Sequence, residues 1–373
     1  MSNSKIGTTE AILIILTVIF AHSILSLPRN IITTTSSATL LNIIFITIIT
    51  ITLVLVINCL LKKFGTFDII DISEYLGGKT LKNIIGFIFI AHFIICSSIL
   101  LRNFCENLGF VYFQMTDVIF IILLFIIGIC ICNNLGFNVT IKSNLIVLPF
   151  AIISVLIIFI ANLKNFDTQK IFPILGEGVS TTFGLGLKNI VAFGGIAFLY
   201  FLPPYLKKRE EFKKIALISV AITGIYLILC VTTILLMFPA FYSTNEIMPL
   251  YSAARYISFG TFLQRLESIF MLIWIISFTS YLSITCKFSV NIFQKLTKTK
   301  NPTIITILFS LLILGISLLP KNLAISTFLE NNIYTYLTLG IVFFLGITTL
   351  IIANIKKKIE SRWFLLVHFS KKY

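Results

Sequence analysis

Ten apolar runs follow one another along this chain, at about 9–33, 38–60, 82–104, 117–134, 143–162, 184–204, 214–238, 261–287, 302–319 and 333–355. A helix crosses a hydrocarbon layer with about 20 apolar residues. Inside that layer backbone amides find no water, so only helices and closed barrels satisfy them. Barrel strands alternate over about ten residues. These runs are apolar on all sides and are parted by short polar punctuation. They read as about ten transmembrane helices of an all-α integral membrane protein. Composition agrees: 58% of the residues are hydrophobic and 12% charged, against about half and a quarter in a soluble domain. No stretch is polar enough to form a separate soluble domain.

The net charge of +15 is distributed in a telling way. With the N-terminus taken as cytoplasmic, Lys and Arg divide 21 to 8 between inner and outer segments. The positive-inside rule then places both termini in the cytoplasm, which requires an even number of spans. The same distribution leaves no soluble basic domain or base-stacking module, so nucleic acid is not an expected partner. Membrane lipid is. "EAILIILTVIFAHSILSL" lacks a basic leader and a small-residue cleavage site, so it is expected to stay as the first span.

Seven cysteines, at 59, 96, 105, 130, 132, 230 and 286, lie mostly inside apolar runs and read as small apolar residues. With three histidines in the chain, no metal site is expected, and no cofactor. Phosphate-loop, His-Glu-x-x-His and Gly-x-Ser-x-Gly patterns are missing, so no catalytic residue is assigned and the chain does not read as an enzyme.

Two spans carry interruptions. In "FAHSILSLPRNI", residues 20–31, Pro28 removes a backbone donor. Ser23 and Ser26 can bond freed carbonyls, and His22 is an ionisable group in an apolar run, costly unless it faces protein or water. In "FGGIAFLYFLPP", residues 193–204, Gly194 and Gly195 weaken the helix before a Leu-Pro-Pro step. Spans one and six thus share the order weak point, apolar stretch, Leu-Pro. Interruptions at matching places in two halves point to a five-plus-five inverted repeat with a midplane site. The halves are read as about 9–162 and 184–355 of a permease-like domain covering 1–355, followed by a tail at 356–373.

Several stretches carry a family likeness: "ILSLPR" at 24–29, "PILGEG" at 173–178, "AFGGIAFLYFLPPYLK" at 192–207 and "MPLYSAARYISFGTFLQRLESIFMLIWIISF" at 248–278. In these the chain resembles the spore germination permease family, the B-type membrane subunits of nutrient germinant receptors. That family belongs to the amino acid–polyamine–organocation superfamily. The resemblance implies a ten-helix inverted repeat, a small-molecule site near the breaks, and A-type and C-type receptor subunits as partners in the inner membrane of the spore. It makes the ligand a small nutrient, in the first instance an amino acid. Many superfamily members have Gly-x-Gly at the first break; here Ala21, His22 and Ser23 stand in that place.

The expected ligand-binding set is therefore Ala21, His22, Ser23, His92, Cys96, Phe193, Gly194, Gly195 and Phe198. His92 and Cys96 lie one turn apart in span three and share a face; a histidine bonded to a neighbouring carbonyl is the plainer alternative. Span eight carries Ser277, Thr279, Ser280, Ser283 and Thr285, which suit either ion binding or close helix contact. Glu10, Asp117, Glu267 and Glu330 all fall near the ends of the runs, and Arg265 and Glu267 are expected at the outer mouth of span eight. No carboxylate is expected at mid-depth, which argues mildly for a receptor over an ion-coupled transporter. Three readings stand: a germinant-receptor subunit, a secondary amino acid transporter, and a scaffold or conduit without its own ligand.

Overall fold

The computed structural model describes residues 5–23, 26–257 and 266–370. Eight of its helices are long and apolar enough to cross a membrane, and Thr8–His22 and Pro302–Ser317 are shorter apolar helices. Span one consists of two helices, α1 (Thr8–Ser23) and α2 (Leu27–Thr35). The chain then bends at Ser36, whose φ is 51°. Spans two to five are Thr39–Lys62, the later part of Ile69–Val111, Val118–Leu135 and Phe137–Ala161. Span six is Ser180–Tyr200, spans seven to nine are Phe212–Met237, Leu266–Thr297 and Pro302–Ser317, and span ten runs within Leu323–Glu360. The expected ten helices are thus present. The residues between 258 and 265, including Arg265 and the start read for span eight, lie outside the described residues, as do Ile24 and Leu25 of the first family stretch.

Local chemistry sets these boundaries. Pro28 and Pro302 sit in the first turns of their helices, where a missing N–H costs nothing. Asp68 caps the helix that begins at Ile69: its carboxylate accepts from the Asp71 amide at 3.0 Å, and the Asp71 carboxylate accepts in return from the Asp68 amide. This short helix breaks from span three at Gly78, whose φ of 67° suits glycine. The connection after span seven forms two short helices, Ala240–Asn245 and Pro249–Arg255.

The packing has an internal symmetry. Span one packs on seven, and six packs on two. Span one packs on five, and six on ten; four packs on eight, and nine on three; ten packs on three, and five on eight. Moving every span five places along the chain carries each of these pairs onto another observed pair. That is the packing signature of two five-helix halves sharing one design. Spans one and six, the matching pair, lie directly against each other. Gly195 permits this approach, since a Cβ on it would lie 2.5 Å from Ile19 Cγ1.

Candidate functional site

Span six does not run as an ordinary α-helix. A π turn at Ser180–Gly184 leads into 3₁₀ turns over Leu185–Tyr200, and Phe193 leaves helical geometry with φ −96° and ψ 17°. Such stretches are uncommon and mark hinges and sites. Span ten is irregular too, with π turns at Glu330–Tyr334 and Leu339–Leu345.

Where these spans meet the end of α1, two voids are stacked. The first is about 30 Å³, close to one water molecule's share of liquid volume. His22, His92, Cys96, Gly194, Gly195 and Phe198 line it, together with Tyr281, Thr285, Tyr334 and Thr338. Six of the nine expected residues are therefore brought to one cavity. Ala21 and Phe193 are buried but do not reach it, and Ser23 is the last residue of α1. Cys96 Sγ lies 3.4 Å from His92 Nδ1. Phe198 stacks on Phe93, with centroids 4.8 Å apart, and meets Phe288 edge-on. The second void, about 140 Å³, lies against α2, and Asn30, Lys188, Asn189, Glu330 and Asn331 contribute to its wall. His22 and Tyr334 line both voids and so form the partition between them. Their rings meet at 63° with centroids 4.7 Å apart, and the Tyr334 hydroxyl lies 3.3 Å from His22 Nδ1.

The main departure from expectation is Glu330. Span ten starts at Leu323, ten residues before the expected boundary, so Glu330 lies inside the bundle with 1% of its surface exposed. The polar sequence "STFLENNIY" lowered the apparent hydropathy of that end. Ser326, Glu330 and Tyr334 of this stretch face protein instead of water. Glu330 Oε1 accepts from His22 Nε2 at 2.8 Å, from Asn30 Nδ2 at 3.2 Å, and from the Ser26 hydroxyl. Glu330 Oε2 accepts from the Asn103 amide, whose own oxygen accepts from Ser326. A buried carboxylate is costly unless paired and fully hydrogen-bonded; here spans one and three supply the donors. Glu330 is thus a carboxylate buried within the protein, although it stands near the start of its span.

Nearby charges are engaged elsewhere. Arg29 donates to the Thr244 carbonyl at 2.8 Å, and Arg102 is paired with Glu106 at 2.6 Å. Hydroxyls of span eight mostly bond their own helix: Ser277, Thr279, Ser283 and Thr285 each donate to the carbonyl four residues back. Thr285 also accepts from Ser97 at 3.0 Å and lines the smaller void.

A further set of contacts joins the residues before span one to those after span six, and span eight to the helix ahead of span three. Ile6 pairs with the segment after span six, its amide donating to Tyr205 O at 2.8 Å and its carbonyl accepting from the Lys207 amide at 3.0 Å. Lys295 bridges Asp68 and Asp71, at 2.7 Å to each. Burial pushes the Asp68 carboxyl up to about 6, against the opposing pull of the Lys295 ammonium.

Comparison with known proteins agrees with this architecture. The family model described as "Spore germination protein" matches residues 5–326. Spore germination protein A2 of Bacillus subtilis (strain 168) is 28% identical over 300 residues, covering 78% of this chain and 80% of the relative. Spore germination protein YndE of the same organism is 23% identical over 365 residues, covering 96% and 99%. Among solved structures, a Na⁺-coupled sialic acid symporter in a substrate-bound outward-open state superposes with a TM-score of 0.64 at 14% identity, over 91% of this chain and 80% of the symporter. The fold is thus that of a transporter, and the chain belongs to the spore germination permease family of integral membrane proteins.

Proposed function

We propose that this chain is the membrane subunit of a spore germinant receptor. It binds a small nutrient, an amino acid by family resemblance, at the void beside the two helix breaks. It passes the binding event to A-type and C-type partner subunits in the inner membrane of the spore, with both termini on the cytoplasmic side. The observation that carries this reading is the small cavity where spans one and six meet, lined by His22, His92, Tyr334 and Thr338 among apolar side chains, in a chain of this family. A receptor needs only a ligand that binds one conformation better than another. A cavity of about 30 Å³ is too small for an amino acid, so binding would require the partition to move. That movement is the signal. The test replaces Gly194 with Leu; a Cβ there already comes within 2.9 Å of Thr338 Cγ2. Spores carrying Gly194→Leu should need a much higher nutrient dose with unchanged protein level. An unchanged dose–response curve places the ligand elsewhere.

A second reading, a secondary transporter, gains from Glu330. Buried carboxylate–histidine pairs occur in proton relays of pumps and transporters, and Glu330 with His22 is such a buried pair. Proteoliposomes with an imposed proton or sodium gradient separate the two. Concentrative amino acid uptake that His22→Ala abolishes would make the chain a transporter.

A further inference from the structure

Of the side chains lining the two stacked voids, Glu330 is the sole carboxylate and Lys188 the sole lysine or arginine among the described residues. We propose that Glu330 is an ammonium-binding group, presently occupied by His22, and that an amino group arriving from the larger void takes the place of His22 and opens the partition. The proposal rests on the reading of the breaks as the ligand site and assigns a residue within it.

The carboxylate is built to receive a donor. Among the described residues, every side-chain hydrogen bond that it makes is to a donor: a ring nitrogen of His22, the Ser26 hydroxyl, and the amides of Asn30 and Asn103. Asn103 cannot turn its oxygen toward Glu330 without abandoning Ser326. An ammonium, with three donors and no acceptor, fits that environment. The other positive groups near the cluster are held away, Arg29 on Thr244 and Arg102 on Glu106. Of the contacts to Glu330, that of His22 alone belongs to the partition. Displacing it changes the wall between the voids, whereas displacing Ser26 or Asn103 does not. His22 has a second partner ready, the Tyr334 hydroxyl at 3.3 Å. Lys188 lines the same void as Glu330, on span six, and supplies a cation for the opposite end of a zwitterion. About 140 Å³ admits a small amine or amino acid without rearrangement of the outer wall.

Cys96 provides the readout, because it lines the smaller void beyond the partition and its thiol is free. The full-length chain is placed in lipid nanodiscs with the other six cysteines replaced by alanine. Modification of Cys96 by methyl methanethiosulfonate, which is small and uncharged, is timed with ethylammonium, with propionate, or with sodium chloride at equal ionic strength. Ethylammonium should accelerate the reaction at least about fivefold; propionate should not. Glu330→Gln should react fast without any probe and show no response to ethylammonium. Equal rates with all three salts in this single-cysteine chain, with Glu330 unchanged, overturn the proposal. A Glu330→Gln chain that still responds to ethylammonium overturns it too. If the amine has no effect while Gly194→Leu still shifts the nutrient dose, Glu330 is not the amine group but the cavity remains the ligand site. If the amine acts and Gly194→Leu changes nothing, the reverse holds.

Discussion

The Tyr200 hydroxyl donates to the Val342 carbonyl across 2.8 Å, joining the last turn of span six to the second π turn of span ten. A π turn leaves a carbonyl without its usual helical partner, and Tyr200 supplies one. Gly346 lies against the same ring, where a Cβ would come within 2.5 Å of Tyr200 Cζ. Span ten is therefore fastened to both broken helices, through Glu330 to span one and through Val342 to span six.

Tyr200→Phe should lower stability by about 1 kcal/mol through loss of that bond. Gly346→Ala should cost more, about 1–3 kcal/mol, because the added methyl overpacks a rigid ring. Thermal unfolding in detergent, followed by circular dichroism, checks the order of the two. An equal or reversed order would show that the ring can shift.

Neighbouring glycines at the second break should behave differently. A Cβ on Gly194 meets the end of the Thr338 side chain at 2.9 Å, whereas one on Gly195 meets Ile19 at 2.5 Å and Val18 at 3.3 Å in the helix against it. Gly195→Ala should therefore destabilise by about 1–3 kcal/mol and reduce the amount of folded protein. Gly194→Ala should leave the folded amount near normal. Fluorescence-detected size-exclusion chromatography of tagged variants reads both.

Asn103→Leu should cost about 1–3 kcal/mol, because Glu330 Oε2 and Ser326 each lose their partner in a buried site. Asn103→Asp should be worse, since it sets a second carboxylate beside Glu330. The loss should shrink when Asn103→Leu is combined with Glu330→Gln, which leaves no buried charge short of donors. A double-mutant cycle on melting temperatures measures that coupling.

Asp68, bridged by Lys295, predicts a pH effect. Its carboxyl is pushed from the ordinary 3.8 to about 6, so the folded chain holds that proton more tightly than the unfolded chain. The cost of ionising it is fully present above about pH 6 and disappears as pH falls toward 3.8. Stability from this group therefore rises on acidification. Comparing melting temperatures of the unsubstituted chain and Asp68→Asn at several pH values isolates it. The difference between the two should narrow or change sign between pH 4 and 6.5, and a constant difference would contradict the assignment.

Much of the fold was legible in the sequence because membrane spans announce themselves by composition. The weak points of spans one and six were visible as Pro28 and the Gly194–Gly195 pair. Glu330 was missed for a physical reason: span ten opens with polar residues that the bundle buries, so hydropathy placed its start too late. A periodic signal was nonetheless present. His22, Ser26 and Asn30 recur every four residues, as do Ser326, Glu330, Tyr334 and Thr338. The second set makes a stripe along span ten, the first spans the break between α1 and α2, and the two sets meet. What sequence could not disclose is which set faces which, since that depends on how spans 308 residues apart are packed.

Ile6 is held in another way. Its pairing with Tyr205 and Lys207 is made by main chain, not by side chains. No point substitution removes such a bolt, except a proline that deletes one of its amides. The partition between the voids is different, resting on one imidazole and one phenol that a rotamer change can swing aside. The two contacts therefore differ in mutability: the partition can be tuned residue by residue, while the Ile6 pairing gives way only when a strand of backbone is drawn out whole.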